Sequence, residues 1–468
     1  MMRMRMVGVT LVVALSSGCN NVPNPIVCCL STDDCASIGI PEESEKTCGL
    51  GLVCREHECV LPPDAAPPEC VENSDCTGAT PFCSPDATCV QCTQSDQCSA
   101  ISPVCDLTSR TCRGCGADAE CTSLVCTIDT GVCLTETSIV YASPAGSSTA
   151  PCTKEDPCSI QRAIAIADSS RNTVRLAPGA YTGNLTVSNK SIMIRGDGAT
   201  LSSTQAPTIA VNDAGRLDIS GLVVMNSYNG GDAGVLSCAS LNNVDVPRIQ
   251  LERVTIDGVK NGLTMRKCDA VMRASLLRTS GSGSSIVADI GTTAFVDRSS
   301  VLGGGYTVLS VNSSLIRFSN SVIGAPVSGN DAFFPLGGGV GISFSTVFNT
   351  RVSCPSGASS CSGGTPNGVC LENSIVANLT AGAPVDSVTG ACSASYTLVF
   401  PQATAIAGAN NKLGMNPLLK DAANGDVHLL SGSPAINAAD PSATNPTDFD
   451  GMPRPSGGVP DMGAFESL

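Results

Sequence analysis

Tryptophan is missing from this chain, and tyrosine (5), phenylalanine (10) and histidine (2) are sparse. Such a composition cannot fill one large aromatic core. With 47 glycines and 14% charged residues it suits short strands joined by small-residue turns. The two histidines, His57 and His428, lie far apart in sequence and suggest no histidine-based nucleophile system. Basic residues are scarce as well: 26 Lys and Arg against 41 Asp and Glu leave a net charge of −15. That balance argues against nucleic acid as a partner, because gripping phosphates needs clustered cations, and it disfavours anionic membrane surfaces.

Cysteine is abundant instead. Twenty-seven in one chain would be a liability in a reducing cytosol, so export to an oxidising compartment is expected. Arg3 and Arg5 precede the apolar run Met6–Leu15, too short for the ~20 residues of a membrane-spanning helix, and residues 1–18 read as a signal peptide. Ser16, Ser17 and Gly18 before Cys19 resemble the lipobox of bacterial lipoproteins, which implies a lipid on Cys19 and attachment to a membrane through it. Ser16 stands where a lipobox usually has Leu, with Leu15 one place further back; cleavage after a small residue without lipidation is the competing reading. Parity favours the lipid. With Cys19 set aside, 18 cysteines lie from Cys28 to Cys133 and 8 from Cys152 to Cys392, so each region can pair its own thiols.

Residues 19–69 form a tether with a first cluster, Cys28, Cys29, Cys35, Cys48, Cys54 and Cys59, closed by a stiff Pro-rich stretch at 62–68. Residues 70–137 repeat a four-cysteine unit: Cys70, Cys76, Cys83, Cys89; Cys92, Cys98, Cys105, Cys112; Cys115, Cys121, Cys126, Cys133. Each unit has too few large apolar residues for a core, so disulfides must hold it. Cys89, Cys92, Cys112 and Cys115 also have the spacing of a zinc site, but Cys98 and Cys105 between them repeat in register, which four ligands do not explain.

From 138 to 468 the chain is all-β in texture. Cys152 and Cys158 precede Ile160, Ala163, Ile164 and Ala167, which share one helical face behind a Ser159 cap; such a helix would cover the first rung of an open strand array. Short strand pairs then recur, and aligning Thr255, Ser275, Ser300, Ser321, Thr346 and Ser374 gives steps of 20, 25, 21, 25 and 28 residues. This is the period of a β-solenoid, with roughly ten to twelve coils. A β-sandwich would need recurrent hairpins. Cys238, Cys268, Cys354, Cys361, Cys370 and Cys392 complete the expected disulfides.

The blocks Asn416–Leu419, Asp426–Leu429, Ser431–Asn437, Asp448–Pro455 and Pro460–Glu466 occur in order, and with Ser159–Tyr181 they resemble bacterial proteins with a pectate-lyase-like right-handed parallel β-helix and a "choice-of-anchor Q" type C-terminal region. The resemblance implies a single-stranded right-handed solenoid over 138–468, ending at about the last residue. Such folds host lyases, hydrolases and non-enzymatic adhesins, so the fold does not give the function.

Chemistry would need two carboxyls in one groove for a hydrolase, or a basic residue with acidic groups holding Ca²⁺ for a lyase. Asp269, Asp289 and Asp297, with Arg273 and Arg298, are the candidates, since neighbouring coils lie about 4.8 Å apart. Asp448-Phe-Asp450-Gly451 opens like a Ca²⁺ loop but lacks later ligands, and pairing of Asp448 and Asp450 with Arg454 is the plainer expectation. The reading that results is an exported lipoprotein of the outer membrane or cell surface, otherwise secreted, whose β-helix binds a polysaccharide or another cell-surface ligand or serves structurally. The alternative is a polysaccharide lyase or glycoside hydrolase.

Overall fold

The computed structural model describes residues 53–55, 58–60 and 69–467, apart from 128–129, 232–233, 304, 325–330, 355–367 and 381–385. Residues 1–18, Cys19, Cys28, Cys29, Cys35, Cys48 and Cys361 lie outside the described residues. The chain divides into two units, Met1–Thr135 and Glu136–Leu468.

In the first unit each four-cysteine repeat begins with a 3₁₀ turn, Asn73–Asp75, Ser95–Gln97 or Asp118–Glu120, and runs into a short antiparallel hairpin. The turn's last side chain, Asp75, Gln97 or Glu120, accepts backbone N–H groups that precede it. Its first side chain accepts the N–H of the third cysteine: Asn73 from Cys83 at 2.8 Å, Ser95 from Cys105 at 3.1 Å and Asp118 from Cys126 at 2.8 Å. Disulfides join first to third and second to fourth cysteine: Cys70–Cys83 and Cys76–Cys89, Cys92–Cys105 and Cys98–Cys112, Cys115–Cys126 and Cys121–Cys133. Each closes a separation of 11 to 14 residues, a constraint worth about 3 kcal/mol in the chain-entropy account. Cys89, Cys92, Cys112 and Cys115 thus belong to four different disulfides, and their zinc-like spacing follows from the repeat.

The second unit is a parallel β-helix. Among the described residues its first and second sheets have eleven strands each and its third has nine, which makes nine complete three-strand coils. The coil count falls below the sequence expectation because residues 414–467 leave the stack. Alternate residues point inward and meet their equivalents above and below: Ile192, Leu217, Ile249, Ala270, Ala294, Ile316, Val340 and Val369 are in register and buried. Burial of each large aliphatic side chain stabilises by about 1.5–3 kcal/mol.

The start is covered as the sequence suggests. Helix α1, Ile160–Ile166, is capped by the Ser159 side chain and buries Ile160, Ala163 and Ile164 over the first coil. Cys152–Cys158, Cys238–Cys268 and Cys354–Cys392 are bonded, and Cys370 is disulfide-bonded too.

From the third coil on, the turn between first and second sheet has one residue with positive φ: Gly221, Arg253, Ala274, Arg298, Asn320, Phe344, Asn373 and Tyr396. The next residue is buried, and from the fifth coil on it is a hydroxyl residue: Ser275, Ser299, Ser321, Ser345, Ser374 and Thr397. Each serine Oγ donates to the carbonyl two residues earlier at 2.7–2.8 Å. Each also accepts the N–H of its equivalent one coil before, at 2.9–3.3 Å. The ladder therefore runs through Ser299 and Ser345; the alignment on Thr255, Ser300 and Thr346 is one residue out of register.

The coils end near Leu413, well before the last residue. Residues 414–467 fold back over the outer side of the last coils. Leu419, Val427, Ala435, Ala439, Met462 and Phe465 pack against Val322, Phe344, Phe348, Ile375 and Leu398.

Candidate functional site

The outer face of the first sheet carries most of the sequence candidates. One row, in register over successive coils, reads Arg195, Ser220, Glu252, Arg273, Asp297, Ser319, Ser343, Glu372. Arg273 and Asp297 are therefore stacked neighbours. Asp297 also lies 3.4 Å from Arg298 Nε and accepts from Asn320 Nδ2 at 3.2 Å. Asn320 exchanges hydrogen bonds with Asn445 of the folded-back segment, so this cluster helps to seat that segment.

Asp269 starts its strand and pairs with Arg248 at 3.1 Å. Its register partner is Thr293, four residues before Asp297, so the two carboxyls are about 13 Å apart along the strand direction. A retaining hydrolase needs about 5–5.5 Å and an inverting one about 6.5–9.5 Å. Asp289 is on the third sheet, beside Arg266, where it accepts from Asn312 Nδ2 at 2.7 Å. The structure thus brings Arg273, Asp297 and Arg298 together and leaves Asp269 and Asp289 apart from them.

Glu372 was not singled out by the sequence. Burial first, and the Asp440 carboxylate second, push its carboxyl up, whereas the N–H and hydroxyl of Ser442 hold Asp440 below the usual range.

A second arrangement lies in the folded-back segment. His428 Nδ1 is 2.6 Å from Asp426 Oδ1 and Nε2 is 3.0 Å from Asp450 Oδ2, and the ring lies 3.9 Å from that of Phe465. The depression it lines, of about 710 Å³, also takes in Asp448, Asp450 and Glu466. Asp448 accepts the N–H groups of Met452 and Glu466, at 2.8 and 2.9 Å. Arg454 pairs with Glu466 at 3.1 Å, not with Asp448 or Asp450 as the sequence suggested. The segment is the turn that the sequence led one to expect rather than a Ca²⁺ loop, but backbone hydrogen bonds to Asp448 hold it in place of the Asp448–Arg454 pair.

Burial opposes charging of His428, but hydrogen bonds to Asp450 and Asp426 outweigh it and raise its pKa; Asp426 is pulled down to about 2 by His428 and Lys420. A raised folded value means that the histidine's stabilising contribution is complete below about 6.5 and is lost as pH rises through the folded value. With only two histidines in the chain, a proton NMR titration should resolve His428 with a midpoint above 6.5; a midpoint at or below that value contradicts the geometry.

The third feature is a groove of about 480 Å³ at the end of the second-sheet strands. It is lined by Thr182, Asn184, Ser202, Gln205, Met225 and Asp257, among others. Thr182, Ser202, Met225 and Asp257 are equivalent positions of successive coils. Sequence reading missed the groove because residues 182 to 280 form it only once the coils are in register; the runs Thr182-Gly-Asn184 and Ser202-Ser-Thr204 were its one visible trace.

No family model matches the chain, and no curated protein matches it. Among solved structures, it is similar to pectate lyase Pel9A, with 13% identity and a TM-score of 0.42 over 71% of this chain and 100% of that one. A rhamnogalacturonan lyase matches at 12% and 0.33 over 55% and 87%. A pectin methylesterase in complex with a hexasaccharide matches at 13% and 0.35 over 63% and 96%. None of the three bears on what this chain binds or catalyses.

Proposed function

We propose that the chain is an exported lipoprotein, anchored through Cys19 at the outer membrane or cell surface, whose β-helix is a binding or structural module. The disulfides of both units support export, since such bonds persist in oxidising compartments. No helix among the described residues is long and apolar enough to cross a membrane. The likeness of the folded-back segment to choice-of-anchor Q type regions adds to the surface reading.

The observation that weighs against cleavage, and so favours a binding or structural role, is the first sheet's outer face. Glu252, Arg273 and Asp297 alternate in sign up the stack, and Asp269 is paired with Arg248. Charges of opposite sign follow one another along that face, whereas a cleaving site would converge two carboxyls. Asp297→Ala is therefore expected to leave polysaccharide binding unchanged and to abolish no cleavage, measured by exposing the full chain to acidic and neutral polysaccharides with and without Ca²⁺. Cleavage by the parent that vanishes in the variant would replace this reading with an enzyme. Labelled palmitate incorporated into the parent but not into Cys19→Ala tests the anchor; no label in the parent overturns it.

A second reading, a polysaccharide lyase or hydrolase, draws on Glu372 and Asp440, whose surroundings push two carboxyls in opposite directions as acid–base pairs require.

A further inference from the structure

We infer that the groove at the second sheet is a binding site for an extended neutral oligosaccharide; the inference rests on the binding role proposed above and names its ligand class and location.

The groove takes residues from five successive coils, from Thr182 to Ser280. Four steps of about 4.8 Å make it about 19 Å long, and its volume of about 480 Å³ falls within the ~300–1,000 Å³ of small-molecule sites. Its wall is fixed in advance. Ser203 Oγ donates to Asn184 Oδ1 at 3.1 Å, Asn184 Nδ2 to the Gln205 carbonyl at 3.1 Å, and Asn226 Nδ2 to the same carbonyl at 2.7 Å. Side chains locked in this way lose little freedom when a ligand arrives.

Against that wall stand exposed polar groups that the protein's own hydrogen bonds leave free for a ligand. The side chains of Thr182, Gln205, Ser227 and Ser280 line the groove and make no hydrogen bond among the described residues, where only their backbone groups are bonded. Three hydroxyls and a primary amide both donate and accept, as sugar hydroxyls do. Met225, 40% exposed, and Val259 offer the apolar patch against which a sugar's C–H face rests.

Charge narrows the class. The lining holds one ionisable side chain, Asp257, and Arg278 of the next coil already pairs with it. An anionic ligand would find no free cation in the lining, and a cation would have to compete with that guanidinium. A neutral polyhydroxylated chain meets neither obstacle.

The test is calorimetric titration of the full chain with cellohexaose, mannohexaose and maltohexaose, and with oligogalacturonate as the charged counterpart. The double variant Gln205→Ala/Ser227→Ala should bind its preferred neutral oligomer at least tenfold more weakly, with an unchanged unfolding midpoint because neither side chain bonds within the protein. Neutral binding that the double variant leaves untouched overturns the groove and keeps the binding role. Oligogalacturonate bound in preference to all three neutral probes overturns the ligand class. Heat from none of the four removes both this site and a carbohydrate-binding role.

Discussion

Arg454→Met is expected to destabilise the second unit by about 3–5 kcal/mol and to release residues 414–467 to proteases. The guanidinium is fully buried: it pairs with Glu466, donates to the carbonyls of Asp461, Gly463 and Ala464 at 2.8–3.2 Å, and lies 4.7 Å from the Phe344 ring. Burial pulls the Arg454 pKa down and pushes that of Glu466 up. Desolvation therefore exceeds the pair's mutual attraction, and the charges hold geometry more than they add stability. Removing one of them still costs much, because the other is left buried alone. Arg454→Met/Glu466→Leu should recover only part of the loss, since Glu466 also accepts the N–H groups of Ser456 and Asp461. Urea unfolding with limited proteolysis checks both variants. A single variant as stable and as protease-resistant as the parent would show that the cluster does not hold the segment.

Ser345→Ala should cost about 1–3 kcal/mol, a large effect for the loss of one oxygen atom. Ser345 is fully buried; its Oγ accepts the Ser321 N–H at 3.0 Å and donates to the Ser343 carbonyl at 2.8 Å. Alanine leaves that N–H without a partner in a place water does not reach, so the desolvation penalty is felt in full. Chemical denaturation measures it, and Ser300→Ala is the control. Ser300 sits one position past the ladder and is half-buried, so its loss should fall within about 0.5 kcal/mol. Equal losses at the two positions would contradict the register.

That contrast also shows how far the sequence could be read. Period, strand pairs and the N-terminal helix were legible because apolar alternation and the Ser159 cap are local signals. Register was not. Ser299-Ser300 and Ser345-Thr346 each offer two adjacent hydroxyls, and only the corner geometry selects the first. The corners were equally hidden, since Arg253, Ala274, Arg298 and Phe344 adopt a conformation in which glycine or asparagine is the usual signal. Asp269, Asp289 and Asp297 looked close because they fall on or near consecutive coils, but position along the strand and choice of sheet decide proximity in a solenoid. The folded-back segment was recognisable as blocks, while its turn back along the coils depends on Phe344, Phe348 and Ile375, which belong to the β-helix pattern.

The β-helix is proposed to bind its ligand without cleaving it. Incubating the full chain with the neutral oligosaccharide it binds most tightly, and following ligand mass beside the binding isotherm, tests the proposal most directly. Saturable binding with the oligomer's mass unchanged is the predicted result. Shortened or unsaturated products that accumulate with time and disappear when Glu372 is replaced by Gln would contradict the claim and establish an enzyme.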